Sequence, residues 1–194
     1  MKHSLTHVVF ILTLIAIAAI SRLLPHPPNV SPIAALALFG GATLSLPWSI
    51  AVPGAAMLVS DFFIGFDGFP ITLSVYGSFF GTVAFGAWLR ARPSPWRILT
   101  ASLGASVLFY LVTNAAVWWF SGLYPQTVDG LTWSYIYAIP FFRHTLLGDL
   151  VYSVTFFFTY QYLPELVVSF SRRFLVGRLR TAPGKRSSIE VEPL

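Results

Sequence analysis

Residues 96–121, WRILTASLGASVLFYLVTNAAVWWFS, decide the class of fold. After Arg97 this run contains no charged side chain. It is longer than the roughly 20 apolar residues with which an α-helix crosses the hydrocarbon core of a bilayer. The run therefore predicts a membrane-spanning helix. Immediately before it lie Arg90 and Arg92, and basic residues of this kind are typical of the cytoplasmic flank of such a helix.

The composition of the whole chain agrees with this interpretation. Of 194 residues, 56% are hydrophobic and only 10% are charged, whereas soluble domains carry about 25% charged residues. Because this small number of charges cannot cover a water-exposed surface, the sequence predicts an integral membrane protein. The net charge of +5 is concentrated at loops and termini, which favours a membrane topology signal over binding of nucleic acid. The absence of cysteine excludes disulfides and thiol chemistry.

Apolar segments recur along the chain on both sides of residues 96–121. The predicted segments cover residues 8–24, 32–44, 47–64, 70–89, 96–121 and 139–163. They predict an all-α fold, a bundle of six transmembrane helices that occupies residues 1–170. Residues 171–194 are basic, and from Thr181 onwards they carry few apolar side chains, so they predict a disordered cytoplasmic tail.

The basic residues predict how the bundle lies in the membrane. An even number of spans places Lys2, the Arg90–Arg97 group and the basic tail on one side of the membrane. Because cytoplasmic loops are enriched in Lys and Arg, both termini are predicted to be cytoplasmic, in a multi-pass protein of the inner (plasma) membrane. An alternative remains for the first segment, since Ala16-Ile17-Ala18 resembles the cleavage site of a secretory signal.

On this topology most polar residues of the membrane region fall at the outer end. Polar groups inside lipid are costly and are retained for a reason, so they predict a polar cavity that opens to the outside. The candidate solute-binding residues are Arg22, His26, Asn29, Asp61, Asn114, Trp118, Arg143, His144 and Asp149. Asp149 lies deepest, with Arg22, Asn114 or a ligand as its expected partner. The alternative is that these residues only pair between helices or, for tryptophan, form an interfacial belt.

The sequence gives little sign of catalysis. It contains no H-E-x-x-H, G-x-S-x-G or phosphate-binding glycine motif. We therefore expect no catalytic residue, no metal site and no cofactor. A transport function would need energy from a partner, because no nucleotide-binding motif is present.

Two motifs carry a resemblance to known proteins. The run RLLPHPPNVSPIAALALFGG (residues 22–41), followed by MLVSD (residues 57–61), resembles a group of small bacterial membrane proteins of unknown function. That group is similar to the S components, the substrate-binding subunits of energy-coupling factor (ECF) transporters. The resemblance implies a six-helix fold with both termini inside, and a ligand pocket near the outer face. The proline-rich loop, residues 25–31, would close the pocket, and we call this loop the strap.

The function implied by the resemblance is uptake of a small vitamin-like or nucleobase-like solute. An S component works with a transmembrane coupling subunit and two ATPases, which drive release of the solute. A different class of function is a structural partner in a cell-envelope membrane complex, like that of the rod-shape protein MreD. A third, an intramembrane enzyme that uses histidine and aspartate side chains, is less favoured by the residues.

Overall fold

The protein is all-helical in the computed structural model. The structure describes the backbone of residues 5–25, 27 and 29–181, and the side chains of residues 9, 11–25, 27 and 29–162. Within these residues it contains six α-helices and no strand. The helices are α1 (Leu5–Leu23), α2 (Ile33–Thr43), α3 (Leu46–Ile64), α4 (Phe69–Leu89), α5 (Pro95–Phe120) and α6 (Val128–Thr181).

The first five helices confirm the predicted segments to within a few residues, but both predicted bounds of the sixth, 139 and 163, were wrong. Helix α6 begins at Val128 and ends at Thr181, so Asp129 and Trp133 lie on its first turns. The Thr127 hydroxyl accepts a hydrogen bond from the Gly130 N–H (3.1 Å), as an N-cap residue does. The predicted boundary at residue 170 between bundle and tail stays a prediction, and residues 182–194 lie outside the described part of the chain.

Many large apolar side chains face outward in this structure. Phe62 and Phe69 are each 78% exposed, and Leu123 is 75% exposed. Among the described residues, α3, α4 and α5 are long and apolar enough to cross a membrane. An apolar exterior on helices of this length indicates association with a membrane.

The centre of the fold is α2, a short helix buried on all sides. Nine of its 11 residues, Ile33 to Gly41, are buried. Helices α3, α4 and α5 all contact it, α4 most extensively. At 1.5 Å per residue α2 is roughly 16 Å long, about half the thickness of a bilayer core.

Helices α2 and α4 touch through their backbones at two glycines. A Cβ atom at Gly86 would lie 2.2 Å from the Leu38 carbonyl oxygen, and one at Gly41 would lie 2.3 Å from the Val83 carbonyl oxygen. No side chain fits at these separations. The crossing therefore requires glycine on both helices, as in the close helix contacts of other membrane proteins.

Arg90 binds the C-terminal end of α2. Its Nη2 donates a hydrogen bond to the Gly41 carbonyl oxygen (2.8 Å) and a second one to the Leu44 carbonyl oxygen. The last carbonyls of a helix have no partner within the helix and carry partial negative charge, which a guanidinium group satisfies. Arg90 is therefore a helix cap as well as one of the basic residues of its loop.

The chain divides into two compact units, Met1–Phe157 and Phe158–Leu194. The cavities described below lie in the first unit. In the second unit the rings of Phe158 and Tyr162 contact each other, with centroids 4.6 Å apart.

Candidate functional site

A cavity of about 380 Å³ lies where α1 and α3 end and α2 and α4 begin. All six helices contribute a side chain to this main cavity, and so does the strap. The lining comprises Arg22, Asn29, Ser31, Ala34, Met57, Ile64, Asp67, Val75, Phe79, Phe109, Thr145 and Asp149. A side cavity of about 260 Å³ shares part of this lining and adds Asp61 and Tyr76.

Arg22 and Asp61 form an ion pair beside the main cavity. Arg22 Nη1 lies 2.6 Å from Asp61 Oδ1 and also donates to the Ser60 hydroxyl. The Tyr76 hydroxyl donates to the other carboxylate oxygen, Asp61 Oδ2 (2.8 Å). Asp61 is only 6% exposed, yet both of its oxygens have a donor. This group of side chains joins α1, α3 and α4.

Asp149 has a different environment in the same cavity. It is 3% exposed, and Ser106 on α5 donates a hydrogen bond to its Oδ2 (2.7 Å). Within the described part of the chain no other hydrogen-bond donor contacts this carboxylate, and no basic side chain lies within 4.0 Å of it. Asp149 is thus a buried acid without a positive partner among the described residues.

The strap places Asn29 at the cavity in an unusual backbone conformation. Asn29 has a φ of 62°, the only positive φ among described residues other than glycine. Asparagine tolerates this left-handed region better than most residues do. Next to it, Val30 contacts α6, because a Cβ at Gly148 would lie 3.3 Å from Val30 Cγ1. The strap therefore lies against α6 one residue before Asp149.

Aromatic side chains form an apolar wall of the main cavity. The rings of Phe79 on α4 and Phe109 on α5 are stacked, with centroids 5.3 Å apart and an interplanar angle of 29°. Both residues line the cavity, together with Met57 and Val75. A wall of this kind offers an apolar aromatic surface to a bound molecule.

The structure brings together four of the predicted site residues. Arg22, Asn29 and Asp149 line the main cavity, and Asp61 lines the side cavity. Their spacing along the sequence is wide, but alternating helix directions bring them to one end of the bundle. The expected pairing of Asp149 with Arg22 or Asn114 is not found, since Arg22 binds Asp61.

The other predicted residues that the structure describes line neither cavity. Asn114 donates to the Tyr110 carbonyl oxygen of its own helix (2.8 Å), and Trp118 donates to the Pro125 carbonyl oxygen (2.9 Å). Arg143 and His144 are exposed on α6. His26 lies outside the described residues. A role of these five residues in solute binding stays a prediction.

Sequence reasoning missed the residues that complete the site. Tyr76 and Ser106 supply the donors to the two buried acids, and Phe79 and Phe109 form the wall. Tyr76 gave no distinct signal, because α4 carries four other hydroxyl side chains. Ser106 gave none, because serine is common in helices rich in small residues.

The described residues contain no group of three or more His, Asp or Glu side chains placed to hold a metal ion. Beside Arg22, the main cavity offers two acids, an amide and an apolar aromatic wall, which suit reversible binding of a small molecule.

Comparison with known proteins identifies one family. A model described as "Family of unknown function (DUF6580)" matches residues 2–172. Neither the curated proteins nor the solved structures contain a significant match. The resemblance to a family of unknown function is therefore established, and the likeness to S components stays a prediction.

Proposed function

The chain belongs to the DUF6580 family, and we propose that it is a membrane-embedded subunit that binds a small solute for uptake. The main cavity is the observation that carries this proposal. Ligand pockets are typically about 300–1,000 Å³, with apolar walls and a few polar groups that orient the ligand. The main cavity, at about 380 Å³, is at the small end of this range and has this composition.

The proposed topology has six spans in the inner membrane of the cell. Both termini would lie in the cytoplasm. Helix α4 begins at the cavity and ends at the loop that carries Arg90 and Arg92. Loops rich in Lys and Arg lie on the cytoplasmic side of a membrane. The cavity, at the other end of α4, would then face the outside. A site at the outer face suits capture of a solute on its way in.

The strap is the proposed cover of the site. Asn29 and Ser31 line the main cavity, and Val30 contacts α6 beside it. As in an S component, opening of this loop would admit the solute. Release to the cytoplasm would need a transmembrane coupling subunit and ATPases, because the chain has no nucleotide-binding motif of its own.

Native mass spectrometry of the full chain, purified gently from its own membranes, tests the proposal. We expect a bound small molecule on the wild-type chain. Asn29→Gly should lose it, because glycine adopts the positive φ readily but lacks the amide. Asp129→Asn is the control, since Asp129 is exposed and outside both cavities.

Two results would count against a solute-binding subunit. One is a chain that carries no small molecule. The other is a molecule that Asn29→Gly retains as fully as Asp129→Asn does. A chain bound only to other membrane proteins would favour the structural partner of a cell-envelope complex.

A further inference from the structure

We propose that the solute is a small organic cation with a flat ring, and that its positive group binds the carboxylate of Asp149. This inference rests on the proposed function and specifies the chemical class of the ligand. It starts from the difference between the two buried acids at the site.

The protein itself supplies a partner for each carboxylate oxygen of Asp61. A guanidinium group contacts one of its oxygens and a tyrosine hydroxyl donates to the other. Asp149 is at least as buried, at 3% exposed against 6%, but only the Ser106 hydroxyl contacts it in the described part of the chain. Of the two acids, Asp149 is therefore the one that the fold leaves for an external partner.

The physical reason is the penalty for an unpaired buried charge. A carboxylate removed from water is unfavourable unless a positive group and hydrogen bonds replace its hydration. A bound ammonium or amidinium group would supply both in one contact, through charge-assisted hydrogen bonds. Binding would then relieve an unfavourable state of the empty protein.

The remaining charges of the cavity point to the same class of ligand. Arg22 is held by Asp61, so its charge is already neutralised by the protein. Asp67, an exposed acid, also lines the main cavity. The cavity therefore has an excess of negative charge, which favours a cation over a neutral or anionic solute.

The shape of the site argues for a ring beside the cation. The stacked pair Phe79 and Phe109 forms a wall of the same cavity whose lining includes Asp149. Aromatic surfaces bind flat rings, and they attract positive groups through the ring faces. A cation that carries a ring could use the carboxylate and the wall together.

Thermal unfolding of the full chain in detergent, with fractions of a small-molecule extract from the protein's own source cells, tests the inference. A cation exchanger and an anion exchanger at pH 7 divide the extract into cationic, neutral and anionic fractions. We expect only the cationic fraction to raise the unfolding midpoint, by about 5 °C at saturation. The rise should disappear in Asp149→Asn and persist in Asp129→Asn, the same substitution at an exposed position of α6.

The other outcomes separate this inference from the proposed function. Stabilisation by the neutral or the anionic fraction alone would overturn the cation and leave a solute-binding subunit intact. Stabilisation by the cationic fraction that survives in Asp149→Asn would overturn the role of Asp149. No stabilisation by any fraction would overturn both proposals. The wild-type comparison decides the charge of the solute even where Asp149→Asn fails to fold.

Discussion

Arg22 binds two neighbours on α3 through one guanidinium group. Its contacts with Ser60 and Asp61, together with the bond from Tyr76, connect the end of α1 to α3 and α4. A positive group at a helix C-terminus also interacts favourably with the helix dipole. Arg22 therefore has a structural role that its place in the cavity lining would not suggest.

The first prediction tests this role by replacing Arg22 alone and then Arg22 and Asp61 together. Arg22→Gln should lower the stability of the chain by about 2 kcal/mol, because Asp61 stays buried without its cation. Adding Asp61→Asn should recover part of the loss, since the uncompensated charge is then gone. Thermal unfolding in one detergent measures both. A double variant less stable than Arg22→Gln would show that the ion pair is not what Arg22 contributes.

At the scale of the helices, the contact of α2 with α4 depends on glycine. The second prediction compares two Gly→Ala variants on α4. Gly86→Ala should destabilise the chain markedly, because its Cβ would meet the Leu38 carbonyl oxygen at 2.2 Å and α2 would have to move. Gly77→Ala should leave the unfolding midpoint unchanged or raise it, because no atom lies near its Cβ and alanine favours a helix. Equal midpoints for the two variants would contradict the contact.

The third prediction concerns the cap at the other end of α2. Arg90→Ala should lower stability by about 1–3 kcal/mol, since the carbonyl oxygens of Gly41 and Leu44 at the end of α2 lose their donor. Arg92→Ala removes the same charge from the same loop at an exposed position. Unfolding midpoints of the two variants separate the cap from the charge. If both variants lose stability equally, the hydrogen bonds of Arg90 are not the cause.

The hydropathy of the sequence predicted a helix well where apolar surroundings enclose that helix on all sides. Segments 47–64, 70–89 and 96–121 match α3, α4 and α5 closely. The start of α6 did not follow from hydropathy, because residues 128–138 mix aromatic and polar side chains. Two tyrosines instead join the helices: Tyr110 donates to the Tyr135 carbonyl oxygen, and Tyr135 to that of Leu111. Such partners are far apart in sequence and leave no periodic signal.

The close contacts of helices were also beyond the sequence. Among the described glycines, Gly41 and Gly86 make the tightest contact between helices, and the sequence does not show which helices meet there. The partner of a glycine depends on the helix that faces it. In the same way Arg22, Asp61 and Asp149 could be assigned from the sequence to one end of the bundle, but not paired with one another.

At the scale of the whole molecule, the fourth prediction tests the proposed orientation. The chain has no cysteine, so a single introduced thiol is the only target for a maleimide. Gly68→Cys, in the open loop between α3 and α4, should react with a membrane-impermeant maleimide added to intact cells. Ala91→Cys, in the basic loop, should react only after the membrane is permeabilised. The reverse pattern would place the cavity at the cytoplasmic face and contradict capture from outside.

The burial of α2 also has a consequence for how the protein is made. An 11-residue helix is too short to insert across a bilayer by itself. Helix α4, with which α2 makes its main contact, is fully synthesised only roughly 45 residues after α2. At a translation rate of about 5–20 residues per second, this is a delay of several seconds. During this interval a ribosome-bound chain would hold α2 between α1 and α3 alone, with one side open. We expect the insertion machinery, or a chaperone of the membrane, to cover that side until α4 arrives.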